Sequence, residues 1–215
     1  MPDVILPVLN EATAIPKVLA RLPEGFDPLV VDNGSTDDSG RVAKRLGARV
    51  VFQPEPGFGA ACWAGVTAAE SEVVAFMDCD GSLDAVQLPR VTDPITDGAA
   101  DLVIGCRRAE PGAWPPHARL ANLALARMIK RKTGLTLSDL GPMRAVRRDE
   151  LLALDMRDRR FGWPLEMVLK ANVAGWRIAS TDVTYTRRDG RSKVTGTVRG
   201  TLKAVVDMTR VLQQS

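Results

Sequence analysis

Val73-Val74-Ala75-Phe76-Met77-Asp78-Cys79-Asp80-Gly81-Ser82 carries an apolar run straight into a pair of carboxylates. The run is short, continuous and β-branched at its start, as expected for a strand covered on both faces. Asp78 and Asp80, just past it, can both reach one divalent cation if the backbone turns. A hard cation such as Mg²⁺ or Mn²⁺ prefers oxygen ligands and keeps waters and phosphate oxygens in its remaining positions. Asp-x-Asp alone also fits a capped turn; its place after a buried strand is what favours the cation.

Working outward, four further runs read as strands: Val4-Ile5-Leu6, Leu29-Val30-Val31, Arg49-Val50-Val51-Phe52 and Leu102-Val103-Ile104. Helix signals lie between them. Ile15, Val18, Leu19 and Leu22 recur at helical spacing. Ser35 or Thr36 can cap a helix through Val42, Ala43 and Leu46, stopped by Gly47. Ala60 to Ala69 and the neighbourhood of Val86-Gln87-Leu88 supply two more. This alternation predicts an α/β fold, a mostly parallel sheet flanked by helices. In such sheets ligands bind outside the carboxyl ends of the strands. Polar clusters gather there: Pro7-Val8-Leu9-Asn10-Glu11, Asp32-Asn33-Gly34-Ser35-Thr36-Asp37, Asp78 to Ser82, and Gly105-Cys106-Arg107-Arg108.

Past residue 105 the pattern predicts helices over Ala118 to Lys132 and Trp163 to Ala174, a strand near Arg177 to Val183, and a C-terminal helix with Val194, Val198, Leu202, Val205 and Leu212 on one face. Lys130-Arg131-Lys132 before Gly134 suits a helix C-terminus. No linker is evident. The chain reads as a single domain over 1–215, with a nucleotide-binding half (1–105) and a basic half (106–215).

The charge pattern supports two roles. Residues 1–100 hold 7 Lys and Arg against 15 Asp and Glu; residues 101–215 hold 22 against 11. Carboxylates in the first half could hold a cation and arginines in the second could hold phosphates, although uneven surface drift gives the same asymmetry. A net charge of +3 with an acidic half disfavours nucleic acid. The 215 residues, 45% hydrophobic and 26% charged, exclude a disordered, fibrous or coiled-coil chain. No run approaches a membrane span or a signal peptide, and three cysteines without CxxC spacing suggest reduced thiols. A cytoplasmic protein is expected. Arg199, Lys203 and Arg210 on the last helix leave a peripheral membrane contact open. The sequence sets no oligomeric state.

Taken together, Pro7 to Glu11, Val30 to Ser39, Asp78-Cys79-Asp80, Ser138-Asp139-Leu140-Gly141-Pro142-Met143-Arg144-Ala145 and Arg188-Asp189-Gly190-Arg191-Ser192-Lys193 resemble the family 2 glycosyltransferases with the GT-A fold. The polyprenyl- and dolichyl-phosphate sugar transferase branch is the nearest in pattern. The resemblance implies an inverting transfer from a nucleotide-sugar donor, carrying uracil or guanine, to a polyprenyl phosphate or another acceptor. It implies that Pro7, Leu9 and Glu11 line the nucleotide pocket and that Asp32 hydrogen-bonds the base. Asp78 and Asp80 would bind the metal and diphosphate, and Arg107 would lie near the donor. Asp139 and Arg144 match the acceptor side, and Arg188, Ser192 and Lys193 a basic loop that closes over phosphates. Asn33 stands where the pattern has a second Asp, and Ser82 where the branch often has Gln.

Catalytic roles follow from charge. Growing negative charge on a departing diphosphate calls for a cation at Asp78 and Asp80 together with Arg and Lys donors such as Lys193. A lipid phosphate is already ionised near neutral pH and serves as its own nucleophile. A hydroxyl acceptor would instead need a base, for which Asp139 and Glu166 are candidates. His117, the single histidine, is a weaker one. A soluble hydroxyl acceptor, or a nucleotide-sugar-binding protein without catalysis, remain the alternatives.

Overall fold

The computed structural model describes residues 1–188 and 198–214. Strand β1 (Asp3–Val8) lies between β2 (Asp27–Asp32) and β4 (Val73–Phe76), parallel to both, and β3 (Arg49–Phe52) extends the sheet beyond β2. On the other side β6 (Arg144–Arg147) runs antiparallel between β4 and β5 (Leu102–Ala109), and β7 (Ile178–Tyr185) closes the edge parallel to β5. The order is β3-β2-β1-β4-β6-β5-β7.

Alternate strand residues face opposite layers. Val4, Leu6 and Val30 pack with α1 (Ile15–Leu19), α2 (Ser39–Arg45) and α4 (Pro89–Thr96) through Ile15, Ala43, Val91 and Ile95. Ile5, Leu29, Val31 and Phe76 pack with α3 (Phe58–Ala68) and α7 (Trp163–Val173) through Val66, Trp163 and Val168. The same layer holds α5 (Pro116–Thr133), α6 (Arg148–Ala153) and α8 (Val198–Gln214). Trp163 meets Phe76 edge-on with ring centroids 5.0 Å apart. Such aromatic pairs add about 0.5–1.5 kcal/mol to the burial itself.

The six expected strands and the main helices form where the sequence placed them. Two differences have local causes. The second helix begins at Ser39 after Asp38, not after Ser35 or Thr36, because the Ser35 hydroxyl accepts from Asn10 N and Thr36 N donates to Asn10 Oδ1. The antiparallel β6 and the short α6 were not foreseen. Arginines at both ends of Arg144-Ala145-Val146-Arg147 hide a strand whose residues 144–146 are nonetheless fully buried. Val194 lies outside the described residues.

A backbone contact ties the two halves. The first amides of α3 need acceptors. Gly59 N donates to Arg160 O at 3.0 Å and Ala60 N to Arg159 O at 2.9 Å. A Cβ on Gly59 would fall 2.6 Å from Asp158 O, so only glycine admits this approach. The 157–160 segment is held in turn by Glu166, whose carboxylate accepts from Arg157 N at 2.9 Å and Asp158 N at 2.7 Å.

Candidate functional site

The loops after β1 and β2 are laced together. Asn10, at a positive φ of 55°, donates its amide to Ser35 Oγ at 2.9 Å, and its Oδ1 accepts from Thr36 N at 2.7 Å. Glu11 N donates to the buried Ser39 Oγ at 2.8 Å. Asp32 Oδ1 accepts from Ser35 N at 2.8 Å. Much of these two motifs therefore shapes the loops. Pro7 and Glu11 are partly buried at the same strand ends, and Leu9 is exposed.

At the end of β4, Asp80 is buried, and its Oδ1 accepts from Ser82 N at 2.9 Å and Ser82 Oγ at 2.6 Å. Ser82, in the position of the pattern's Gln, thus orients the carboxylate. Arg188 crosses from the end of β7. It donates to Glu11 Oε1 at 2.9 Å and approaches Asp80 Oδ2 at 3.3 Å. Its Nε is buried without a hydrogen-bond partner. Burial, and after it the adjacent Asp80 charge, push the Asp78 carboxyl above the usual carboxylate range. Two carboxylates two residues apart at one strand end, beside an arginine with an unused donor, fit a divalent cation carrying a diphosphate. Among the described residues no three acidic, His or Cys side chains converge as metal ligands.

At the end of β5, Arg107 is held differently. Its Nε and backbone N donate to Asp139 Oδ2 at 2.8 and 2.9 Å, and Nη2 donates to Oδ1 at 2.8 Å. The guanidinium lies 4.0 Å from the Trp114 ring centroid and 5.3 Å from that of Tyr185. Burial works against its charge, but Asp139 outweighs it and raises the pKa. Arg107 and Trp114 stand at an apolar groove of about 240 Å³ between α5 and α8, lined by Leu125, Met128, Ala204, Val205 and Met208.

Arg144 is fully buried and gives hydrogen bonds to backbone carbonyls. It donates to Pro164 O at 3.0 Å and to Gly141 O. Burial pulls its pKa down to about 10, and its charge is felt at Asp139 and Asp78. Gly141 itself is fixed by contact, since a Cβ there would fall 1.8 Å from Gly105 O. Glu166, besides accepting from the 157–158 amides, pairs with Lys170 at 3.1 Å. His117 is exposed at the start of α5. Ser192 and Lys193 lie outside the described residues. Glu11, Asp80 and Arg188 are thus brought together, as are Arg107 and Asp139, whereas Arg144 and Glu166 lie beneath the surface of the site. Tyr185, beside Arg107, was not foreseen; it ends a strand the sequence placed only as far as Val183.

Similarity to known proteins gives the family and the fold. The model of glycosyl transferase family 2 matches residues 3–153, and the chain belongs to that family. A protein described as an uncharacterized glycosyltransferase of Mycobacterium tuberculosis is 46% identical over 97% of this chain and 96% of its own length. The undecaprenyl-phosphate mannosyltransferase of Micrococcus luteus is 34% identical over 96% of this chain and 91% of its own. Among solved structures, glucosyl-3-phosphoglycerate synthase from M. tuberculosis, in complex with Mg²⁺ and uridine diphosphate, superposes with a TM-score of 0.76 at 23% identity, covering 100% of this chain and 78% of that one. The protein is a glycosyltransferase with the GT-A fold.

Proposed function

We propose that the protein transfers a sugar, in a reaction dependent on Mg²⁺ or Mn²⁺, from a nucleoside diphosphate donor to the phosphate of a polyprenyl phosphate, with inversion. The observation that carries this reading is the groove. An apolar channel opens at Arg107, beside the carboxylates at the end of β4, and suits a lipid chain whose phosphate rests at the guanidinium. The kinship with an undecaprenyl-phosphate mannosyltransferase supports the same acceptor class.

Asp78 and Asp80 would hold the cation, which when bound counters charge on the leaving diphosphate. Arg188 would turn from Glu11 and Asp80 to the diphosphate oxygens, using the Nε that now has no partner. Ser192 and Lys193 would add donors to the same phosphates. Pro7, Leu9, Glu11 and Asp32 would line the nucleotide side. Arg107, locked by Asp139 and sandwiched by Trp114, would steady the acceptor phosphate without moving. That phosphate oxygen attacks the anomeric carbon and needs no base. This agrees with Asp139 spending both oxygens on Arg107 and Glu166 bonding backbone amides. Arg144 acts from beneath, keeping positive charge under Asp78.

A peripheral membrane contact belongs to this reading, moved toward α5. Leu120, Leu123 and Met128 are exposed there among Arg119, Arg127, Lys130, Arg131 and Lys132, with no acidic residue in the helix. No helix among the described residues is long and apolar enough to cross a membrane. Such a face suits an anionic lipid surface.

The test supplies UDP-, GDP- and dTDP-sugars with undecaprenyl phosphate, with and without Mg²⁺ or Mn²⁺. Sugar-phosphate lipid formed only with metal is the expected result. Transfer to a soluble hydroxyl acceptor but not to the lipid would overturn the acceptor assignment. Donor binding without transfer to any acceptor would favour a sensor.

A further inference from the structure

Asn33 spends its whole side chain on one loop. Its Nδ2 donates to Gln53 O at 3.0 Å and to Glu55 O at 2.7 Å, while Oδ1 accepts from Gly57 N at 2.8 Å. Two carbonyls and one amide can be answered together only by a carboxamide of this length, so the orientation of the amide is forced. An aspartate of the same shape would set carboxylate oxygens against two carbonyls and lose both donors. The asparagine is therefore required by the loop, although it leaves the pocket one charge short of the family pattern.

The position matters. Strands lie about 4.8 Å apart, so the end of β3 is about 14 Å from the end of β4, three strands away. A nucleotide anchored by its diphosphate at Asp78 and Asp80 and running along this edge brings its base to the ends of β2 and β3. Gln53 to Gly57, with Pro54 and Pro56 stiffening it, bounds the site there. We propose that Asn33 is a positioning residue for the base end of the donor: it clamps the Gln53–Gly57 loop as the outer wall of the pocket and touches no ligand itself. This rests on the reading above that the edge takes a nucleoside diphosphate.

The two ends of the ligand separate this role from a general structural one. Mg²⁺ complexes of UDP, of GDP and of inorganic pyrophosphate are titrated calorimetrically into the wild-type protein and Asn33→Asp, and amide hydrogen exchange is followed over residues 53–59 without ligand. In the variant, protection over 53–59 is lost and affinity for the nucleotide that wild type binds falls about tenfold or more, as for two lost hydrogen bonds. Pyrophosphate affinity stays within about twofold, since it uses only the Asp78 end. In turnover, donor KM rises and kcat holds. Equal losses for pyrophosphate and nucleotide, or unchanged nucleotide affinity despite lost protection, would overturn the proposal. Wild type that binds pyrophosphate but neither nucleotide overturns the site reading and this role with it. Should Asn33→Asp fail to fold, Asn33→Ala removes the clamp without adding charge and is judged by the same criteria.

Discussion

Arg107 and Arg188 stand along one row of strand ends and are held in opposite ways. Arg107 gives its donors to one carboxylate and is covered by Trp114 and Tyr185. Arg188 is divided between Glu11 and Asp80, which belong to different loops, and keeps a buried Nε without a partner. The first arrangement fixes the guanidinium through Nε and Nη2 and resists rearrangement. The second can exchange carboxylates for incoming phosphate oxygens at little loss. Rigidity at the proposed acceptor side and redistribution at the proposed donor side suit the transfer proposed above, in which one phosphate stays bound to a lipid while another departs.

The comparison can be broken at several points. Asp80→Asn keeps an oxygen for Ser82 but halves the carboxylate pair. Turnover should fall about a thousandfold in steady-state assays while the melting curve barely moves; a rate within tenfold of wild type would remove Asp80 from the chemistry. Arg107→Ala should strike stability first. It leaves Asp139, only 2% exposed, without its guanidinium counter-charge, and a urea titration should show a loss of about 3–5 kcal/mol. Arg188→Ala should do the reverse, lowering turnover about a hundredfold with a small change in the urea midpoint. Equal behaviour of the two arginine variants would erase the distinction. Met128→Asp, at the groove and 40% exposed, should raise the KM for polyprenyl phosphate about tenfold without altering donor KM.

The smallest effect is a pH dependence far from both arginines. Asp3 is buried below the sheet edge. Burial would raise its pKa, but the amides of Ser71 and Glu70 and the Arg49 guanidinium outweigh it and hold the carboxyl below its usual range. Its stabilisation is therefore full above the unfolded value of about 3.9 and is lost as pH falls through the lower folded value. Asp3→Asn should cost about 1 kcal/mol at neutral pH, with the deficit shrinking in acid. A deficit constant from neutral pH to pH 3 would show that the charge of Asp3 is irrelevant to stability.

The α/β order was legible because the buried parallel strands are continuous apolar runs and each ends in turn-forming polar residues. The placement of Asp78 and Asp80 at the end of a buried strand was legible for the same reason: they interrupt such a run. Strand β6 was not, because buried Arg144 contradicts the apolar pattern that marks a strand. Nor could spacing reveal that Arg107 and Asp139 form a pair, since β5 and the segment before β6 meet only through the sheet. Neither the groove nor the exposed apolar face of α5 was legible, because Leu125 and Met128 of the one and Leu120 and Leu123 of the other read like the inner face of an ordinary amphipathic helix. Only the burial of Ala118, Ala126 and Ile129 shows which positions turn inward.

The carbonyls of Arg159 and Arg160 that receive the amides of Gly59 and Ala60 have a practical meaning for anyone trimming the gene. The match to the family model ends at Ala153, although individual relatives align over nearly the whole chain; a fragment ending there would leave α3 with bare leading amides and Phe76 stripped of its indole neighbour. The end of that match is thus no place to cut; the start of α3 is completed by residues beyond it.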